Sequence, residues 1–364
     1  MIDEQNINDL SQNPMNDYFD QYQKENENNR NQMLKSLQKG ETILFVGAGL
    51  STDECPDWCG LIERLETKLM YLDGTFKVDE VLKERDELGY LDYIKEGFLN
   101  LKDGREKYLS FLIKIFNKYQ PSKILHNLVS LPFAGIITTN YDNKISCALN
   151  KIYPDGGYLN KIYYSKDNPT SIRSFFLSIN NSQDNSKKVF HIHGNIDYPD
   201  SLVVTRNDYE NIYGNCLNMP DSLLFRTLWA LFSLKKMVFV GFSLQDPFIQ
   251  KILHIVCRDF WLWDNESHYI IRDISDKTCC ERKTEEKIFK DDFGITTIFY
   301  DNNDKSYQGI EMLFKEILHK DEMPVEKKGI HEIAVGLSDD SSELVKKVKT
   351  TDINKIMKKR VQHD

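Results

Sequence analysis

Apolar runs of four to eight residues recur along this chain, and most stop abruptly at glycine or at a polar cluster. They read ETILFVGAGLS from residue 41, FAGIITTN from 133, VFHIHG from 189, LVVT from 202, KMVFVGFS from 236, HYIIRD from 268 and ITTIFYD from 295. Runs of this length, rich in β-branched and aromatic residues and ended by breakers, predict buried strands. Between several of them lie stretches with apolar residues at three- and four-residue spacing, such as DSLLFRTLWALFSLKK and DPFIQKILHIVCRDF. Residues 58–130 carry the same spacing with few breakers and predict a helical insertion after the first strand. Strands alternating with helices imply an α/β protein: a Rossmann-like, largely parallel sheet with helices on both faces.

The ends of the chain break this pattern. Residues 1–30 are rich in Asn, Gln, Asp and Glu (QKENENNRNQ), which predicts a polar, mobile or weakly helical lead-in. An amphipathic segment, GIEMLFKEILHK, closes the domain near residue 320. Residues 321–364 read as a polar linker and a basic amphipathic tail, ELVKKVKTTDINKIMKKR.

Charge and cysteine usage narrow the function. The formal net charge is −9, which argues against direct nucleic-acid binding as the main activity. No apolar run is long enough to cross a bilayer, and the first residues lack a signal-peptide pattern, so no membrane partner is expected. The seven cysteines are odd in number and form no C-x-x-C pair, which favours a reduced, cytoplasmic setting.

Four strand ends carry candidate chemistry. LFVGAGLS joins a strand to a helix through a glycine turn, an arrangement that lets backbone N–H groups approach a phosphate. The third glycine of G-x-G-x-x-G is missing, however, and no acidic residue ends a second strand about twenty positions on. In IITTNYDNKI, Asn140 and Asp142 precede a helix, where helix capping is the simplest role. In VFHIHGNID, strand alternation would put His191 and His193 on one face, as a metal pair or as a catalyst with a bystander. A metal pair needs further ligands, and none of the other six of the eight histidines ends a strand beside Gly or Asp. His193, directly before Gly194, is the better-placed of the two; His191 reads as structural, and no metal is expected. MVFVGFSLQDP ends with Asp246 as a helix cap and Pro247 at the first helical position. All four are carboxyl ends of strands, the edge where open parallel sheets bind ligands.

GAGLS, TTNYD, HGNID and GFSLQDP, in this order and spacing, resemble the sirtuin-like NAD-binding domains. The likeness is strongest to bacterial sirtuin-like domains of antiphage defence proteins, including the NAD-cleaving effector of Thoeris-type systems. It covers about residues 40–300 and implies a sirtuin-like NAD-binding catalytic domain over 31–320. The resemblance implies that Gly47, Ala48, Gly49 and Ser51 contact the diphosphate or the adjacent ribose. It implies that Asn140 orders the nicotinamide ribose and a water, that Asp142 lies near the carboxamide, and that His193 is the catalytic histidine. Gly241 and Ser243 would form the loop under the adenosine half. Pro56 to Trp58 resembles the sirtuin PDF segment, with a preceding loop about one residue shorter. Protein-deacylating sirtuins carry a zinc module with two C-x-x-C pairs after the HG strand, whereas residues 195–240 here contain only Cys216. The helical insertion would stand in for that module.

The resulting expectation is an NAD+ glycohydrolase, with NAD+ as substrate and nicotinamide and ADP-ribose as products, acting in phage defence by NAD+ depletion. A homo-oligomer and an activating or restraining protein partner are further expectations. The alternatives are an NAD-dependent protein deacylase, a nucleotide-binding sensor without turnover and, more remotely, a metal-dependent hydrolase. Retention of both Asn140 and His193 favours an enzyme over a sensor.

Overall fold

The structure is a computed structural model. It describes residues 14–318 apart from 52–53, 155–160, 165–168, 181–186, 215–218, 261–267, 275–277 and 303–306. The expected tail, 321–364, lies outside the described residues.

Seven parallel strands form one sheet: β1 (Thr42–Val46), β2 (Gly135–Thr138), β3 (Lys161–Tyr163), β4 (Val189–His191), β5 (Lys236–Val240), β6 (His268–Asp273) and β7 (Ile295–Tyr300), in the order β3-β4-β2-β1-β5-β6-β7. The chain winds one way from β1 through β2, β4 and β3, and the other way through β5, β6 and β7. The crevice at the carboxyl ends of β1 and β5 is therefore the switch point of an open α/β sheet.

Alternation along each strand divides the core. Ile43, Phe45, Ile137, Met237, Phe239 and Ile270 point into one apolar layer, covered by α8 (Pro169–Ile179), α10 (Leu223–Leu234), α11 (Pro247–Phe260) and α12 (Cys279–Phe293). Leu44, Val46, Ile136, Val238, Val240 and Ile271 point into the other. That layer is covered by α1 (Pro14–Gln38), α6 (Lys123–Ser130), α7 (Lys144–Ile152) and α13 (Gln308–Leu313). Each fully buried Leu, Ile or Phe contributes roughly 1.5–3 kcal/mol of transfer free energy.

A third apolar cluster sits at the carboxyl edge. It is built by α2 (Trp58–Leu72), α4 (Glu87–Leu99) and α5 (Gly104–Phe116) with Tyr141, Ile196, Leu202 and Val204. α3 (Glu80–Arg85) joins α2 to α4. α6 packs on the sheet instead, so the part of the insertion that walls the edge is α2 to α5.

Two sequence expectations differ from the structure, and one strand carried no sequence signal. The polar lead-in is helical from Pro14, because Met33, Leu34 and Leu37 bury on the sheet and pull the preceding turns into register. Asn26 donates to Phe299 O (3.0 Å) and accepts from Phe299 N (2.8 Å), so a side chain on α1 satisfies backbone groups of the edge strand β7. LVVT is not a strand: Val203 N bonds His193 O (3.0 Å), and Thr205 instead caps α9 (Arg206–Tyr213). β3 is a three-residue edge strand too short to show a pattern.

Candidate functional site

A cleft of about 940 Å³ opens over the carboxyl edge of the sheet. Its walls include Ala48, Gly49, Ser51, Asn140, Asp142, His193, Gly241 and Ser243, so eight side chains or backbone segments named from sequence meet in one place. Gly47 sits behind the wall. From β4 to β6 is four strand spacings, about 19 Å, which matches an extended dinucleotide laid across the switch point.

The glycine loop is bonded through its backbone to the end of β5. Gly47 N bonds Val240 O (3.0 Å), Gly49 N bonds Gly241 O (2.8 Å), and Ser51 N bonds Ala48 O (2.8 Å). The N–H groups of Gly47 and Gly49 are thus committed to the neighbouring strand end. What these glycines supply is close approach. A Cβ on Gly47 would lie 2.4 Å from Gly241 O, and one on Gly49 would lie 2.9 Å from the same atom. Gly241 has φ +64°, and a Cβ there would meet Leu50 at 2.9 Å. The two loops interlock backbone to backbone.

Beside the switch point, at the ends of β2 and β4, the side chains carry the geometry. Asn140 is 7% exposed; its Nδ2 donates to Gly47 O (3.1 Å) and Ser51 Oγ (3.3 Å), while its N–H donates to Thr138 Oγ1 (3.0 Å). It does not cap α7. Asp142 Oδ1 accepts from Lys144 N (2.9 Å), the first residue of that helix, whose N-cap Asn143 makes no side-chain cap bond. Ser51 also donates to the Asp142 carboxylate, so one hydroxyl links the asparagine to the aspartate. Burial pushes the Asp142 carboxyl above its usual range; backbone donation and the Lys144 charge oppose that shift. The Lys144 side chain is fully buried, its ammonium 3.3 Å from Glu54 Oε2 and 3.5 Å from Ser51 O.

β4 ends at His191, so the two histidines do not share a strand face. His191 Nδ1 lies 3.0 Å from Asn140 O, and because a carbonyl only accepts, that nitrogen carries the proton. His191 therefore fixes the backbone of Asn140. His193, 2% exposed, turns to the cleft, its Nε2 2.9 Å from Tyr213 Oη and 3.7 Å from Asp246 Oδ2. Its ring meets Tyr209 edge-on at 5.0 Å. Burial lowers the His193 pKa below its ordinary value, with Asp246 pulling the other way. The imidazole is thus neutral at neutral pH, the form that accepts a proton. Gly194 leaves the strand at φ +84°, where a Cβ would strike Ser201 O at 2.1 Å.

Sequence reasoning missed several residues here. Tyr209 and Tyr213, four apart on α9, look like ordinary helix positions but line and support the histidine; Tyr209 Oη donates to Asp246 Oδ2 (3.0 Å). Asp246 caps α11 as expected, accepting from Phe248 N (2.9 Å) and Ile249 N (3.0 Å), yet its second oxygen faces the cleft. The position of Lys144 one turn into a helix gave no signal of burial. Among the described residues no group of three His, Cys, Asp or Glu side chains is arranged to hold a metal ion, and no helix is long and apolar enough to cross a membrane.

Comparison with known proteins finds distant relatives. The chain is 25% identical over 278 residues to the NAD(+) hydrolase ThsA of Enterococcus faecium, covering 75% of this chain and 49% of that protein. It is 25% identical over 245 residues to NAD(+) hydrolase ThsA of Cytobacillus dafuensis, covering 65% and 42%. It is 26% identical over 232 residues to Defense-associated sirtuin 2 of Bacillus subtilis, covering 62% and 20%. The chain thus spans half the length of these relatives or less. Residues 134–298, which contribute Asn140, Asp142, His193, Gly241 and Ser243 to the cleft, match the family described as SIR2-like domain.

Proposed function

We propose that this chain hydrolyses NAD+ to nicotinamide and ADP-ribose. The observation that carries the reading is the convergence of Asn140 and a neutral, buried His193 at adjacent strand ends, in a cleft long enough for a dinucleotide. Relatives named NAD(+) hydrolase support it.

The chemistry asks little of a general acid. The nicotinamide of NAD+ is already cationic, so breaking the bond to the ribose releases a neutral molecule. The barrier lies in the oxocarbenium-like ribose and in placing water, as in glycoside cleavage. Asn140, held by Gly47 O and Ser51 Oγ, presents its remaining amide group to ribose hydroxyls and water. His193 accepts the proton as water adds to the ribose carbon and passes it to solvent. Asp142, next to Asn140, receives the carboxamide. Gly49, Ala48 and Ser51 bound the ribose and diphosphate, and Gly241 and Ser243 underlie the adenosine half.

In the cell this reaction would deplete NAD+, in keeping with the defence role that one relative's name states. Such an enzyme needs restraint, and we extend the reading to a second copy or a protein partner as its control. The test is to incubate purified protein with NAD+, with and without an acetyl-lysine peptide, and separate the products. Release of nicotinamide with ADP-ribose and no peptide supports hydrolysis. Release only with peptide, accompanied by an acetylated ADP-ribose, would make the chain a deacylase.

A further inference from the structure

We propose that Arg85, at the end of α3, is the cationic contact for the diphosphate of the dinucleotide; the proposal rests on the NAD+ reading above. The argument starts from charge. A dinucleotide carries two negative charges at its diphosphate, yet most charged groups lining the cleft are acids: Asp57, Glu84, Asp86 and Glu87 on the helical wall, Asp142, Asp246 and Asp273 along the strand ends. A diphosphate in this setting needs donors or a cation to offset desolvation and repulsion. The backbone donors of Gly47 and Gly49 are already bonded to Val240 O and Gly241 O.

Two guanidinium groups line the cleft, Arg85 and Arg272. Arg272 is engaged on the sheet side, its Nε 3.1 Å from Glu285 Oε1 and its guanidinium carbon 5.6 Å from the centre of the Phe289 ring. Arg85 makes no ion pair, hydrogen bond or ring contact among the described residues, and its side chain is exposed at the mouth. It is therefore, among the described residues, the cation in the cleft with all its donors available, in the fork geometry that suits phosphate oxygens.

The neighbouring residue fixes where that fork is presented. Asp86 ends α3 and begins α4, accepting from Gly89 N (2.9 Å), and its carboxylate pairs with Arg206 at the start of α9. α9 carries Tyr209 and Tyr213 against His193. One ion pair thus ties the backbone beside Arg85 to the helix that supports the candidate histidine. The helical insertion would then supply substrate binding as well as a wall, and it would do so through a single side chain.

The test uses the full chain carrying Arg85→Gln and Arg85→Lys. Calorimetry with ADP-ribose reads binding without turnover, thermal unfolding reads the fold, and steady-state nicotinamide release from NAD+ separates KM from kcat. Arg85→Gln should weaken ADP-ribose binding and raise KM for NAD+ by about tenfold or more, the order of one charge-assisted hydrogen bond. It should leave kcat within about threefold, and the unfolding temperature should stay at the wild-type value. Arg85→Lys should recover part of the affinity, and the salt dependence of binding should shrink in Arg85→Gln. Unchanged ADP-ribose affinity in Arg85→Gln, or equal loss of kcat and fold, would overturn the proposal. A wild type that does not bind ADP-ribose overturns it too. If Arg85→Gln loses ADP-ribose binding while no form releases nicotinamide, the diphosphate contact stands and the hydrolase reading falls.

Discussion

The two halves of the cleft floor, one beside the switch point and one at it, are built on opposite principles. At β2 and β4 the site is made of side chains: Asn140, Asp142, His191 and His193 are buried and each is held by named partners. At β1 and β5 it is made of the absence of side chains, with Gly47, Gly49 and Gly241 letting two loops touch backbone to backbone. Deleting atoms in the first half should remove chemistry and spare the fold. Adding atoms in the second half should damage the fold first. The lesson is that a conspicuous glycine motif and a conspicuous polar motif on one rim do not have to serve the ligand in the same way.

His193→Ala should give the largest effect on the side-chain half. As the proton acceptor its loss should cut nicotinamide release by roughly 10²–10⁴-fold, with circular dichroism unchanged. A folded His193→Ala protein with wild-type turnover would remove the histidine from the chemistry.

Gly47→Ala tests the other half. The new methyl would sit 2.4 Å from Gly241 O and 2.6 Å from Phe242 Cα, both backbone atoms that cannot rotate away. Overpacking of this kind should destabilise by about 1–3 kcal/mol, read as a lower denaturant midpoint. If Gly47→Ala unfolds like wild type and loses only NAD+ affinity, the glycine serves the ligand after all, and the contrast between the halves collapses.

Acid should separate the two histidine environments from an ordinary surface. Burial lowers the His193 pKa, and lowers that of His268, whose Nδ1 accepts from Met237 N at 3.1 Å, to about 3. The unfolded chain therefore takes up these protons first as pH falls below 6.5. The stabilisation is complete above pH 6.5 and is lost on acidification, by about 1.4 kcal/mol per pH unit for each histidine until its folded pKa is reached. Chemical unfolding at pH 7, 6 and 5 should show that decline, and turnover should hold down to about pH 6.5. A rate profile already falling between pH 8 and 7 would mean His193 titrates higher than its burial implies. The smallest expected effect is that of a chelator, which should leave turnover unchanged; loss with EDTA and recovery with zinc would revive a metal role for the two histidines.

Much of this architecture is legible in the chain because the buried strands are short, apolar and abruptly ended: TILFV, GIIT and KMVFV each stop at a small or polar residue. Elements that depend on distant partners were not legible. α1 looks disordered by composition until Asn26 meets the edge of β7 and Met33, Leu34 and Leu37 meet the sheet. Tyr209, Tyr213 and Lys144 belong to helices whose local pattern says nothing about which neighbour will cover them. Asp246 was visible as a cap, but the use of its other oxygen arises only when α9 brings Tyr209 and the HG turn brings His193 to it. The bonding of the glycine turn was hidden for a similar reason: whether an N–H is free depends on the strand end beside it, here Val240 and Gly241.

The central claim is that Asn140 holds the reacting ribose while contributing little to the fold, and Asn140→Ala tests it most directly. Nicotinamide released from NAD+ should be quantified by chromatography for wild type and variant at equal concentrations, with the unfolding midpoint of each measured alongside. The account predicts release by wild type, a loss of about 10²-fold or more in Asn140→Ala, and a change in stability of no more than about 1–3 kcal/mol from the hydrogen bonds to Gly47 O and Ser51 Oγ. Equal release by both proteins, with the variant folded, would contradict it.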